Sequence, residues 1–172
     1  MINNYLKYLV AFVVYVLIQV LIINNINLGY YINPCIYVLF LLILPVEIPR
    51  WLLLTLGFIT GLTIDMFLNS PGINASASVF LAFVRPYVLS NISPRDGYET
   101  GSLPIPSHFG FMWFFKYAAI CVLAHHFFLF IVEAFSFSYL WSIIIKTFLS
   151  SVFSLAFIMI IRLFGTTKKR RN

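Results

Sequence analysis

The sequence predicts an all-α membrane protein with six transmembrane helices. Of its 172 residues, 62% are hydrophobic and only 9% are charged, whereas a soluble globular domain has roughly 25% charged residues. Six mostly apolar stretches approach the length of about 20 residues that a helix needs to cross a bilayer. Polar residues, prolines or glycines separate these stretches. We therefore expect one polytopic membrane domain over residues 1–172.

The predicted spans follow the apolar runs in order. They cover about residues 5–23, 31–46, 51–69, 75–92, 111–134 and 138–164. The first run is too long for a secretory signal and no small-x-small cleavage site follows it, so we interpret it as a retained helix. In the second run, Asn33 and Pro34 interrupt the start and Pro45 ends it, which predicts a kinked or short span.

The connectors between the spans are short, with one exception. A tight turn at 69–72 leads to Asn74, which is a candidate cap for the fourth helix. Residues 93–110 carry three prolines and three glycines, a composition that predicts an irregular and partly mobile loop. No connector is long enough to form a second folded domain.

The positive charges predict that both termini lie in the cytoplasm. With six spans, the loop 93–110, the turn at Arg50 and the basic tail 165–172 fall on one side, and the opposite loops have no Lys or Arg. Positive residues are enriched in cytoplasmic loops. We expect a multi-pass protein of the bacterial inner membrane. The net charge of +6 is interpreted as topology signals and headgroup contacts rather than nucleic-acid binding.

Small residues line one face of the third span. Gly57, Gly61 and Asp65 are four residues apart, so they share one side of a helix. Small residues allow a neighbouring helix to approach closely, and an ionisable group within the bilayer points to the bundle interior. This face is therefore predicted to pack against a partner helix.

Asp65 belongs to a predicted intramembrane polar cluster with His125, His126 and Lys146. Counting 1.5 Å per residue places Asp65, His125 and Lys146 at similar depth in the outer half. We expect an ion pair between Asp65 and Lys146, with a histidine joining it, because pairing offsets the desolvation of each charge. The cluster is interpreted first as structural. The alternatives are a transport or proton-relay site, or a Lys146 that extends outward while Asp65 meets only main chain and water.

Neither a catalytic site nor a cofactor or metal site is expected. The sequence lacks a Gly-rich phosphate loop, Gly-x-Ser-x-Gly and His-Glu-x-x-His. Cys35 and Cys121 lie in apolar runs without metal-ligand spacing. Neighbouring helix positions face about 100° apart, so His125 and His126 are not expected to bind one metal together. An enzyme is therefore not predicted.

An Arg-Pro pair lies late in the fourth span. Arg85 and Pro86 are interpreted as an anchoring arginine beside a proline kink. The alternative is a docking site for a soluble partner at the cytoplasmic end.

The third and fourth spans resemble the family of the rod shape-determining protein MreD, in the form found in Bacteroidetes-type bacteria. The resemblance covers about residues 49–96 and is a Gly-x-x-x-Gly-x-x-x-Asp helix, a turn into a small-residue helix, and the Arg-Pro pair. The matching residues are Gly57, Gly61, Asp65, Pro71, Gly72, Ala75, Ala77, Arg85 and Pro86. Pro71 stands where many relatives have a leucine.

The resemblance implies a non-enzymatic scaffold of the peptidoglycan elongation machinery. Members associate with MreC, a bitopic protein, and with MreB, RodA and its transpeptidase partner, and their fold is similar to the substrate-binding components of energy-coupling-factor transporters. Our main hypothesis is that small residues on the third and fourth spans bind the helix of MreC. The rival is a vitamin-type carrier, which requires a polar pocket near the outer face lined by residues such as Asp65, His125 and Lys146.

Overall fold

A computed structural model describes residues 2–26, 28–135 and 140–167. Every regular element in these ranges is a helix. The first helix, α1, continues through a π-helical turn, Ile18–Ile22, and a 3-10 turn, Ile23–Asn25. The helices are α1 Ile2–Leu17, α2 Val38–Ile43, α3 Arg50–Leu68, α4 Ile73–Asn91, α5 Pro106–Phe109, α6 Phe111–Ala134 and α7 Leu140–Thr167. The predicted basic tail from Lys168 onward lies outside the described residues.

Among the described residues, five helical stretches are long and apolar enough to cross a membrane. They are Leu6–Asn25, Arg50–Leu68, Ile73–Asn91, Phe111–Ala134 and Leu140–Leu163. The protein is therefore an all-α, multi-pass membrane protein, and these stretches coincide with five of the six predicted spans.

The prediction of a helix over residues 31–46 is wrong for its first half. Residues 32–36 have no regular structure, and α2 is only six residues long. Pro34 accounts for the break, because it has no main-chain N–H and it disfavours the helical conformation of Asn33 before it. α2 stops just before Pro45. Residues 32–44 are named the interior segment, since every residue from 35 to 44 is at most 9% exposed.

The two ends of the bundle differ in their connectors. The loop end contains residues 45–50 and 92–110, and the turn end contains 26, 28–31, 69–72 and 135. The loop end is held by internal bonds: Val46 N donates to Ser102 O at 3.1 Å, and Tyr98 Oη donates to Leu89 O at 2.7 Å. The loop that was predicted to be irregular therefore packs back on its neighbours. The interior segment runs between the two ends alongside the five long helices.

Gln19 supplies the hydrogen bonds that the interior segment cannot make with itself. Its Oε1 accepts the N–H groups of Ile36 at 2.6 Å and Tyr37 at 3.4 Å. Its Nε2 donates to Pro34 O at 3.0 Å. Main-chain polar groups at membrane depth have no water to bind, so non-helical chain is tolerated there only where protein satisfies it. Gln19 is 3% exposed, and its side-chain amide replaces the main-chain hydrogen-bond partners that a helix would provide.

Two serines of α7 perform the same task from the other side of the interior segment. Ser150 Oγ accepts Asn33 N–H at 2.9 Å, and Ser154 Oγ accepts Cys35 N–H at 2.8 Å. The partners of the second bond are 119 residues apart. The interior segment is thus fixed between α1 and α7 by side-chain hydrogen bonds.

Replacing Gln19 by Leu leaves the N–H groups of Ile36 and Tyr37 without an acceptor. We expect a loss of about 3 kcal/mol in unfolding free energy, since each unsatisfied buried group costs about 1–3 kcal/mol. Denaturant titration in detergent measures this loss. Maleimide labelling of Cys35, which is 6% exposed in this segment, should accelerate because the segment loosens.

The matched control is Asn25→Ala, which removes an exposed amide bonded to Leu21 O. All variants carry Cys121→Ser, so that Cys35 is the one thiol in the chain. Equal labelling rates in the Gln19 and Asn25 variants would contradict the role assigned to Gln19.

Candidate functional site

Asp65 caps the first turn of α4, although it belongs to α3. Its Oδ1 accepts Asn74 N at 3.0 Å, Asn74 Nδ2 at 3.0 Å and Ser70 Oγ at 2.5 Å, and its Oδ2 accepts Ala75 N at 2.8 Å. The first N–H groups of a helix lack intrahelical partners, and the helix dipole favours a negative charge beside them. The carboxylate is 3% exposed. It therefore joins the end of α3 to the start of α4.

Asn74 does not cap α4 with its own side chain, contrary to prediction. Gly72 is the N-cap residue, with φ at +79°, and α4 begins one residue later. Asn69 also has a positive φ, +52°, at the end of α3, and Pro71 is exposed in the turn between them. The turn brings Asn74 over Asp65, which takes the capping role instead.

The glycine face of α3 packs against α4, as a close-packing face was predicted to do. A Cβ on Gly61 would collide with main-chain atoms of Asn74 and Ala75, and a Cβ on Gly57 would lie 2.9 Å from Ser78 O. Ala75 and Ala77 are 4% and 0% exposed. Gly57, Gly61 and Ala77 therefore pack within the chain and do not offer a free face to a partner.

A hydrogen-bond chain links Asp65 to His125 through residues of four elements. Asn74 donates to Asp65, and its Oδ1 accepts Tyr37 Oη at 3.1 Å. Tyr37 Oη is 2.9 Å from His125 Nε2. Since the tyrosine proton goes to Asn74, the network assigns the proton of a neutral His125 to Nε2. Its Nδ1 has no hydrogen-bond partner among the described residues.

The predicted ion pair between Asp65 and Lys146 does not form. The Asp65 carboxylate is occupied by the α4 terminus. Lys146 Nζ lies 4.4 Å from the ring centroid of Tyr30 and 5.9 Å from that of Phe130, which are cation–π distances. Equal depth in the bilayer does not place two side chains on facing sides of their helices. Lys146 is therefore separate from the other three residues of the predicted cluster.

His126 is anchored by two contacts of its own. Its Nδ1 is 2.9 Å from Val122 O, one turn earlier in α6, and its Nε2 is 3.2 Å from Ser154 Oγ. Ser154 also accepts the N–H of Cys35. The rings of His125 and His126 lie 5.4 Å apart, and both residues are fully buried.

Cys35, His125 and His126 form a cluster that was not expected. Each offers one ligand atom, and the three atoms lie within 4.8 Å of one another. The two histidines are neighbours on α6 and face about 100° apart. Their side chains are nevertheless long enough for one nitrogen of each ring to lie near Cys35, a third donor on the interior segment. These are the residues that are able to hold a metal.

Arg85 is fully buried, so it neither anchors the chain in headgroups nor forms an exposed docking site. Its Nη2 donates to Leu44 O and Pro45 O, and its Nε donates to Tyr117 Oη at 2.8 Å. Tyr117 Oη donates to Leu42 O at 3.1 Å. Carbonyls at a helix C-terminus lack partners and favour a positive charge. Arg85 and Tyr117 thus cap the end of α2, while α4 continues beyond Pro86 to Asn91.

Several important residues were not singled out from the sequence. They are Gln19, Tyr37, Tyr117, Ser150 and Ser154. A glutamine in an otherwise apolar first span was the clearest available signal. Serines and tyrosines are common in membrane helices, so their presence alone did not distinguish these positions.

Comparison with known proteins finds no relative of this chain. No family model, curated protein or solved structure matches the chain. Its function therefore has to be argued from its own residues.

Removing the Asp65 carboxylate should destabilise the protein. Asp65→Ala leaves the N–H groups of Asn74 and Ala75 unpaired, with an expected cost of about 3 kcal/mol, and Asp65→Asn should cost about half of that because one oxygen remains. Denaturant unfolding in detergent measures both. The control is Asp96→Asn, an exposed carboxylate in the loop. If Asp65→Ala unfolded like the control, the capping role would be wrong.

The two glycines of α3 should differ in their tolerance of a methyl group. Gly61→Ala meets rigid main chain and is expected to cost about 3 kcal/mol, whereas Gly57→Ala needs a smaller shift of α4 and should cost about 1 kcal/mol. Melting midpoints of the two variants in the same detergent test the order. A reversed order would show that α3 and α4 are not packed as described.

Proposed function

We propose that this protein is a non-enzymatic membrane scaffold of the bacterial cell-elongation complex, of the MreD type. In this proposal it binds the transmembrane helix of an MreC-like bitopic protein and so acts in the assembly that contains MreB, RodA and its transpeptidase partner. The observation that carries the proposal is the use of the ionisable groups: Asp65 and Arg85 both bind main-chain groups of their own fold. Asp65 accepts four hydrogen bonds and Arg85 donates three, all within the fold, so both groups have structural roles, although Arg85 Nη1 has no partner among the described residues.

The structural roles of the motif support this interpretation. Gly57 and Gly61 permit close approach of α4, and Asp65 holds the α4 terminus. The pattern that resembles the MreD family is therefore a packing unit of two helices rather than a reaction site. Such a unit suits a scaffold, whose function is to present a fixed surface.

A lipid-facing groove between α3 and α4 offers a surface for the partner helix. Its volume is about 660 Å³, and small residues of α4 lie along it between aromatic walls. The lining includes Phe58, Gly72, Ala75, Ser76, Val79, Phe80, Phe83 and Phe128. From Gly72 to Phe83 the groove follows about 17 Å of helix. Helices associate in lipid through close packing at small residues, which favours a transmembrane helix as the occupant.

The charges support an orientation with the loop end in the cytoplasm. Arg50 and Arg95 lie at the loop end, and by sequence the connectors of the turn end have no Lys or Arg. The positive-inside rule then places the loop end, with both termini, in the cytoplasm of a bacterial inner membrane. The interior segment supplies the sixth crossing in this topology.

Filling the groove should weaken partner binding without unfolding the protein. Ser76→Leu places a larger side chain in the groove wall, and we expect about tenfold less bitopic partner on the tagged protein, equivalent to about 1.4 kcal/mol. The measurement is co-purification from mild detergent after co-expression with the MreC-like chain, quantified by mass spectrometry.

The matched control is Ala156→Leu, the same increase in size at an exposed position of α7. Equal loss in both variants would contradict the groove as the binding surface. Absence of any bitopic chain with the wild-type protein would contradict the scaffold itself.

A small-molecule carrier is the second candidate, and the turn end provides the observation that favours it. A cavity of about 220 Å³ has polar residues of four elements in its wall, including Gln19, Asn33, Asn74 and Glu133. A neighbouring cavity of about 270 Å³ contains Lys146 and shares Glu133. Drug-sized ligands occupy about 300–1,000 Å³, which the two cavities reach together. A native mass spectrum with one small molecule retained per chain would favour the carrier over the scaffold.

A further inference from the structure

Three soft metal donors meet in the interior at a place that the proposed function does not use. Cys35 comes from the interior segment, and His125 and His126 come from α6. Their ligand atoms lie within 4.8 Å of one another, and Cys35 is 6% and the histidines 0% exposed. We propose that Cys35, His125 and His126 form a binding site for a monovalent copper ion.

The hydrogen bonds around the two rings fix one nitrogen of each. Tyr37 Oη holds His125 Nε2 and Val122 O holds His126 Nδ1. A ligating histidine almost always bonds through its other nitrogen to a carbonyl or another polar group, which fixes the ring. The candidate ligand atoms are then His125 Nδ1, which has no partner among the described residues, and His126 Nε2, which contacts Ser154 Oγ. The His126 ring also contacts the main chain of Asn33, and the ion would replace these contacts.

The unpartnered Nδ1 of His125 is the observation that points to a ligand. Buried polar atoms nearly always have a hydrogen-bond partner. Here the unpartnered nitrogen belongs to a histidine with a ligand atom within 4.8 Å of the Cys35 sulfur. The one hydrogen-bond contact of that sulfur in the described structure is a weak one, to Asn33 O at 3.8 Å. A metal bound between these atoms would use both lone pairs.

The net charge of the three donors favours a monovalent ion. Cysteine binds metals as the thiolate and histidine as the neutral imidazole, so the donor set carries one negative charge. Monovalent copper makes the occupied site neutral, whereas a divalent ion leaves a net positive charge at membrane depth, which is costly. Thiolate and imidazole are also ligands that copper prefers. A neutral Cys-His-His copper site is thus the form that the surroundings tolerate best.

The site has a route to the turn end and requires only a small contraction. Cys35 and Tyr37 lie in the wall of the 220 Å³ cavity that Glu133 also lines. Donors around a three-coordinate ion are about 3.5–3.7 Å apart, from ligand distances of about 2.0–2.3 Å. The donors at up to 4.8 Å therefore approach by about 1 Å when the ion binds. The non-helical residues 32–36 of the interior segment can supply this shift.

Copper binding to the purified full chain tests the proposal. The protein in detergent is incubated with Cu(I) under reducing, oxygen-free conditions with a chromophoric Cu(I) chelator as competitor, and metal per chain is measured by mass spectrometry. We expect about one copper per chain for the wild-type protein, with X-ray absorption showing one sulfur and two nitrogen neighbours. The same titration with Zn²⁺ should give at least tenfold weaker retention.

Cys121 provides the matched control, because it is the second buried cysteine and lies outside the cluster. Cys121→Ser should keep the copper, and Cys35→Ser and His125→Asn should lose at least nine-tenths of it. Retention by Cys35→Ser, or loss by Cys121→Ser alone, would overturn the site. Preferred binding of Zn²⁺ would overturn the choice of ion.

If the Cys35 or His125 variant fails to fold, the wild-type X-ray absorption spectrum decides. A copper shell without sulfur, or no copper above the chelator blank, would reject the proposal. The scaffold proposal is unaffected by either result, since the cluster shares no residue with the α3–α4 groove.

Discussion

The cost of an unpaired main-chain group at membrane depth determines the interior of this protein. A bilayer has no water to bind exposed N–H and C=O groups, so a non-helical segment persists there only where side chains complete its bonds. The interior segment meets this condition through Gln19 on one side and Ser150 and Ser154 on the other. The short helix α2 meets it through Arg85, which caps its last carbonyls. This requirement explains five buried polar side chains, those of Gln19, Asp65, Arg85, Ser150 and Ser154.

The same requirement couples α3 and α4. Gly61 brings the main chain of α4 into direct contact with α3, and Asp65 then lies within reach of the orphan N–H groups at the α4 start. Close packing and capping depend on each other, because the carboxylate reaches these groups only at this separation. From Asn74 the hydrogen bonds continue through Tyr37 to His125. One hydrogen-bond network thus connects the Asp65 cap of α4 with His125 of the Cys-His-His cluster.

The bundle has two surfaces with different chemistry. The α3–α4 groove is apolar, and it is the surface proposed for a transmembrane helix. The turn end carries the polar cavities and the route to Cys35. A scaffold with a copper ion in its core would have a metal-dependent fold, since a ligand that binds only the folded state stabilises it. The surface proposed for the partner and the site proposed for the metal consist of separate residues.

The local sequence pattern alone predicted the membrane class, five of the helices and the close-packing glycine face. Hydropathy, proline positions and helical spacing are all properties of a stretch of about 20 residues, so the sequence of that stretch is sufficient to read them. Tertiary structure decided the rest. Depth along a helix does not specify the direction in which a side chain points, so Lys146 meets Tyr30 instead of Asp65. Arg85 was expected at the membrane surface but caps α2. Cys35 meets His125 and His126 only because Pro34 keeps its segment non-helical and Ser154, 119 residues away, holds its N–H. Such pairings arise from packing between distant segments, which no local window of sequence contains.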